Sequence, residues 1–315
     1  MKDKVRFSIL FFSVAPIFWL VSLSAWGIDW QSIPSRKIIL LYPGQASWEW
    51  LLTDHKGAAM IKAGQSCSLC HEGMHDEMGQ KIIEGKLLEP APIAGKSGAL
   101  ELEVKTAHDL DNLYIHLEWS AGAIPADQPY PDFQAMASII FDDGRIPEIT
   151  RAGCWGVCHD DMKSMASAEP GTEINKYLVK SRTKMTRKGG GDNLRTPEEL
   201  SGLLASGLFA EIWQAQLNPE QTAKVLNGYI LETRHDHNPA QVTVNAMFDD
   251  DKWLVDFSRK LTMNSPTYKD FVPSKTYTIG FSVHNGYVNG RRHYVSFGNT
   301  LRLDEGTADL IARKQ

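Results

Sequence analysis

The sequence predicts a mainly β protein: an antiparallel β-sandwich, preceded by a small helical unit and, before that, an apolar N-terminal helix. Three observations carry this. Apolar-rich runs with strand-like alternation recur after Ala99, and two of them double back around short polar turns. A helix is read ahead of them, from Ser47 to about Lys62. Residues 7–27 contain no charged side chain at all.

That first segment, FSILFFSVAPIFWLVSLSAWG, follows Lys2, Lys4 and Arg6. The positive flank holds the N-terminus in the cytoplasm and sends the rest across the membrane. About 20 apolar residues can span a bilayer as an anchor. Pro16, Ser22, Ser24 and Ala25 equally allow a cleaved signal peptide. Both readings place the working part of the chain in the periplasm, soluble or anchored.

Three units are expected: an export or anchor segment (1–27), an N-terminal module (28–95) and a β-rich domain (96–315). The second boundary falls in LLEPAPIAGKSG, where prolines and glycines cluster. In the β-rich part, ALELEVKTAHDLDNLYIHLEWS turns at Asp109 to Asn112, and QVTVNAMFDDDKWLVDFSRKL turns at Asp249 to Lys252; each reads as a hairpin. TYTIGFSVHNG and HYVSFGNTLRL supply two further strands. Between the hairpins lie a Gly-rich loop, MTRKGGGDN, and a helix capped by Thr196 with Pro197 in its first turn, predicted to run through PEELSGLLASGLFAEIWQAQ. Antiparallel strands in this number imply a sandwich.

Composition excludes one class of partner. The chain is 43% hydrophobic and 23% charged, with formal net charge −5 and both signs mixed along it. There is no basic stripe, so nucleic acid is not a partner.

All four cysteines fall in two short motifs, CSLCH at 67–71 and CWGVCH at 154–159, each ending in histidine. Three chemistries use close thiol pairs. Zinc needs four soft or imidazole ligands, which the pairs could supply only across a long separation. A C-x-x-C disulfide is redox-active, within a thioredoxin-like helix and strand that are not found here. Covalent haem attachment explains the histidines too: two thiols bond the vinyl groups and the adjacent histidine ligates the iron. On that reading Cys67, Cys70 and His71 hold one c-type haem. Cys154, Cys158 and His159, with one extra residue between the thiols, hold a second.

The segments YPGQASWEWLLTDH, GCWGVCHDD and NGRRHYVSF, set on this strand order, resemble exported dihaem c-type cytochromes built on the haem-binding domain of the ethylbenzene dehydrogenase and dimethyl sulfide dehydrogenase gamma subunits. The match spans roughly residues 36–305. The resemblance implies a β-sandwich that holds haem and exchanges electrons with a redox partner, either a membrane quinol-oxidising donor or a molybdoenzyme-like oxidoreductase. In those subunits the iron ligands are a methionine and a lysine. Here His293 stands where the lysine would fall, and His159 lies near the methionine position.

A low-spin haem needs a second axial ligand opposite its proximal histidine. For the first haem His55 is favoured over Met78, because it precedes Cys67 across Gly57 and Gly64 and can fold back over the far face; His75 and Met78 would share the proximal side. For the second, His293 is favoured, with Arg291 and Arg292 beside it to pair with haem propionates. His235 and His237 read as a solvated turn, and His108, His116 and His284 as surface or satisfied core residues. The expected role is single-electron transfer. An open axial site would instead make the protein a haem enzyme of peroxidase or nitrogen-oxide reductase type.

Overall fold

The protein is described by a computed structural model that covers residues 27–42, 48–85, 92, 94–122, 133–157, 176–184, 193–286 and 293–315. The apolar segment expected at 1–27 lies, but for Gly27, outside the described residues, as does the Gly-rich loop at 185–192. Among the described residues no helix is long and apolar enough to cross a membrane.

In chain order the strands are β1 (Arg36–Leu41), β2 (Ala99–His108), β3 (Asn112–Ser120), β4 (Ala135–Asp142), β5 (Ala210–Leu217), β6 (Lys224–Ile230), β7 (Arg234–Asp236), β8 (Thr243–Asp249), β9 (Lys252–Lys260), β10 (Tyr277–Asn285), β11 (Tyr294–Val295), β12 (Asn299–Leu303) and β13 (Leu310–Lys314). One wing of the sheet runs β7-β6-β5-β4-β10 and the other β2-β3-β9-β8. Two bridges join them: β11 to β1, and β12 to β13, which pairs in parallel with β2. The wings face each other over one core. Leu113, Ile115 and Leu117 of β3 and Val255 and Phe257 of β9 belong to the same buried cluster as Ile139 and Phe141 of β4 and Ile279 and Phe281 of β10. Trp213 of β5 meets Phe141 at 4.6 Å and reaches across to Phe257 at 6.4 Å. Each such side chain contributes about 1.5–3 kcal/mol on burial, which is what folds the sheet into a sandwich.

At the floor of this core Glu211 and Arg259 form an ion pair at 3.0 Å, both fully buried. Trp213 Nε1 and the Lys269 amide donate to the Glu211 carboxylate, and Arg259 donates to the Lys269 carbonyl. The Lys269 ammonium continues the network to Asp143 at 2.8 Å, where Lys275 also binds.

The helices are short. Those of the N-terminal part are α1 (Trp48–Thr53), α2 (Ala58–Lys62), α3 (Cys67–His71) and α4 (His75–Ile83). The single helix expected from Ser47 to Lys62 is thus two, broken at residues 54–57, where the His55 side chain accepts from the Gly57 amide. Because β1 pairs with β2 along its whole length, the expected N-terminal module begins inside the sheet and its helices are built onto it. Ile82 of α4 enters the sandwich core.

The helix expected over 197–216 needs correction. α5 (Pro147–Ala152) precedes it, and α6 (Pro197–Ala205) has the predicted Thr196–Glu199 capping box, but it ends before Gly207 at φ +77°. Residues 210–217 are strand β5, central between β4 and β6. Nearly every residue of AEIWQAQL is buried, so the two-residue alternation that marks a half-exposed strand is missing.

Candidate functional site

The CSLCH residues form α3, a single turn in which Cys67 and Cys70, three apart, share a face. Both open into a cleft of about 490 Å³ together with His71, His55, Met78, Ile61, Trp155 and Phe297. Cys67 and Cys70 are free thiols, the first buried and the second exposed. Burial pushes the Cys67 thiol up to about 11. It is therefore held protonated, unlike the thiolate that zinc binding or disulfide exchange requires.

His55 sits at the break between α1 and α2, and its ring lines the cleft beside Trp50, at 5.3 Å. The His55 and His71 ring centres are 6.0 Å apart. Two imidazole–metal bonds of about 2.0 Å each, plus roughly 1 Å from each nitrogen to its ring centre, span about that distance. Burial lowers the pKa of both imidazoles, and each is held in the neutral form that ligates a metal; for His55 the nearby His71 adds to the effect. His71 Nδ1 is buried with no hydrogen-bond partner. Two thiols on one face, paired neutral imidazoles and apolar walls fit a covalently held haem. His55 Nδ1 accepts from the Gly57 amide at 3.1 Å, and ligation through Nε2 would move a proton to Nδ1 and cost that one bond, about 1 kcal/mol. Met78, the competing ligand, also lines the cleft, whereas His75 packs on Phe297 at 5.4 Å.

The second motif begins where α5 ends. Gly153, at φ +62°, turns the chain, and a Cβ there would stand 2.4 Å from the Gly298 amide nitrogen, so only glycine lets the loop seat against 296–298. A tight turn over Gly153–Val157 then lays Cys154 on β10, where a Cβ on Gly280 would lie 3.0 Å from its sulfur. Cys158, His159, Arg291 and Arg292 lie outside the described residues. His293 is described: its ring stacks on that of His284 at 4.5 Å and 15°. His284, expected as a surface or satisfied core residue, is buried, and it alternates with Ser282 and Gly280 on the face of β10 turned away from the core residues Ile279, Phe281 and Val283. Cys154, the first thiol of the second motif, and the His284–His293 pair thus meet the same face of one strand. The stacking of His284 on His293 is not legible in the sequence, where alternation with Phe281 and Val283 says only that His284 faces away from the core.

The other histidines are satisfied locally. His108 pairs with Asp304 at 2.7 Å and His116 with Asp256 at 2.6 Å. His235 binds Glu232 at 2.6 Å, and His237 stacks on Tyr268 at 4.2 Å while bonding Thr267 and Asn227.

A family model described as ethylbenzene dehydrogenase matches residues 28–296. Cytochrome c-552 of Stutzerimonas stutzeri is 31% identical over 304 residues, covering 93% of each chain. Cytochrome c-551 of Rhodocyclus tenuis is 28% identical over 290 residues, covering 91% of this chain and 99% of that one. Among solved structures, a family 9 carbohydrate-binding module from Caldicellulosiruptor kristjanssonii in complex with glucose aligns with a TM-score of 0.31 at 10% identity, over 66% of this chain and 78% of that one. That similarity is too slight to carry an argument.

Proposed function

The chain belongs to the ethylbenzene dehydrogenase family, and from that membership we propose that it is a dihaem c-type cytochrome carrying single electrons on the outer side of the bacterial inner membrane. It is a c-type cytochrome of electron transfer, holding haem covalently. The observation that carries the reading is the convergence of Cys67, Cys70, His71 and His55 on one apolar cleft.

When bound, haem supplies one-electron redox chemistry, with potential set by axial ligand, burial and nearby charge. The protein's residues do the rest. Cys67 and Cys70 would tether the first macrocycle, and His71 and His55 would ligate its iron. Trp50, Ile61, Trp155 and Phe297 exclude water. Cys154, Cys158 and His159 would hold the second haem against β10, with His293 as its other ligand and Arg291 and Arg292 pairing with propionates. A partner that oxidises membrane quinol, or a molybdoenzyme-like oxidoreductase, would exchange electrons with it in the periplasm. The apolar N-terminal segment would deliver or anchor it there.

The test is the intact mass of protein matured with haem-attachment machinery. Two added macrocycles are expected; one or none overturns the dihaem reading. Carbon monoxide then separates carrier from enzyme, since two six-coordinate haems leave the reduced spectrum unchanged at neutral pH.

A further inference from the structure

Trp155 belongs by sequence to the second attachment motif, between Cys154 and Cys158, yet its indole lines the cleft of the first. It is 7% exposed and meets Phe297 edge to face at 5.6 Å. Phe297 in turn lies 6.2 Å from the ring of His71. Cys67, Trp155 and Phe297 belong to one buried apolar cluster, separate from the sandwich core, and Cys154 packs against it. Two contacts fix the arrangement. Gly153 presses on Gly298, and the guanidinium of Arg151, at the end of α5, donates to the carbonyl of Ile61 at the end of α2 at 3.0 Å.

We infer that the two attachment sites share one wall, Trp155 packed on Phe297, so that the seating of the second attachment loop sets how completely the first site is screened from water. The inference rests on the dihaem reading. Its physical consequence follows from charge. Ferric haem carries one more positive charge than ferrous haem, and water reaching the cleft favours the more charged form. Burial is one of the levers on haem potential, and here that lever is held by a residue of the other site. Replacing the indole by a smaller side chain lowers the potential of the haem on Cys67 and Cys70, although no ligand or thiol of that haem is altered.

The experiment uses the full chain with Cys154→Ser and Cys158→Ser, so that a single haem remains on the first motif, as intact mass verifies. Into it go Trp155→Leu and, separately, Trp155→Phe. A downward shift of the midpoint potential is expected for the leucine variant, with a smaller one for phenylalanine, which keeps an aromatic wall. An unchanged potential in Trp155→Leu overturns the inference. Should that variant fail to fold, an unchanged potential in Trp155→Phe overturns it equally. The parent's mass separates the two failures: one macrocycle on the unmodified chain removes the second haem, not the wall.

Discussion

The imidazole rings of His55, in the turn between α1 and α2, and of His71, at the end of α3, face one apolar cleft with their centres 6.0 Å apart, although two glycines lie between them in the chain. On the proposed function that relation offers His55 as the second iron ligand of the haem on Cys67 and Cys70, and it gives a direct test. His55→Ala is expected to turn one haem high-spin and open it to carbon monoxide, while Met78→Leu leaves the spectrum low-spin. Optical and electron paramagnetic resonance spectra read the difference.

At the second site the same substitution separates two stacked histidines. On the dihaem proposal, His293→Ala is expected to make the second haem high-spin. His284→Ala keeps the ligand but removes the ring that orients it, so the haem stays low-spin with altered resonance g-values. A high-spin haem in His284→Ala alone would exchange the two roles.

Gly280 is where β10 makes room for Cys154, the first thiol of the second motif. A methyl group there would stand 3.0 Å from the Cys154 sulfur and 3.1 Å from Ile140. Gly280→Ala is expected to cost about 1–3 kcal/mol through overpacking and to reduce the fraction carrying a second haem. Thermal melting and intact mass measure the two effects.

The strand that contributes Glu211 was the least legible element. AEIWQAQL is buried almost throughout in mid-sheet, so its pattern lacks the period of two, and a well-capped helix immediately before it extends a helical reading past Gly207. The hairpins at Asp109–Asn112 and Asp249–Lys252 were legible because polar turns interrupt alternating runs. The thiol motifs were legible as chemistry, since cysteine occurs nowhere else. That Trp155 faces the first cleft could not be read, because it depends on the α5 turn docking against residue 298, far along the chain.

Glu211 and Arg259 are both fully buried, so each depends on the other. Arg259→Met strands a buried carboxylate and is expected to cost about 3–5 kcal/mol. The double variant Glu211→Leu, Arg259→Met is expected to regain most of that. Denaturant titration of the three proteins decides it, and equal loss in single and double variants would refute the coupling.

Acid sensitivity enters through Asp143. Burial alone would raise its carboxyl, but hydrogen bonds from Lys269 and Lys275 hold it below the ordinary aspartate value. A carboxylate depressed on folding contributes stability above its unfolded pKa and loses it as pH falls through the folded one. Unfolding free energy is therefore expected to drop on the acid side of the normal aspartate range, less steeply in Asp143→Asn.

The sheet is stitched together by its latest strands: residue 295 pairs with β1, and β13 pairs with β2. A growing polypeptide cannot close either seam until nearly all of it has been made, and such distant pairings form slowly. Until that pairing forms, the cleft lined by Phe297 lacks one of its walls, which on the proposed function leaves Cys67 and Cys70 open to haem attachment.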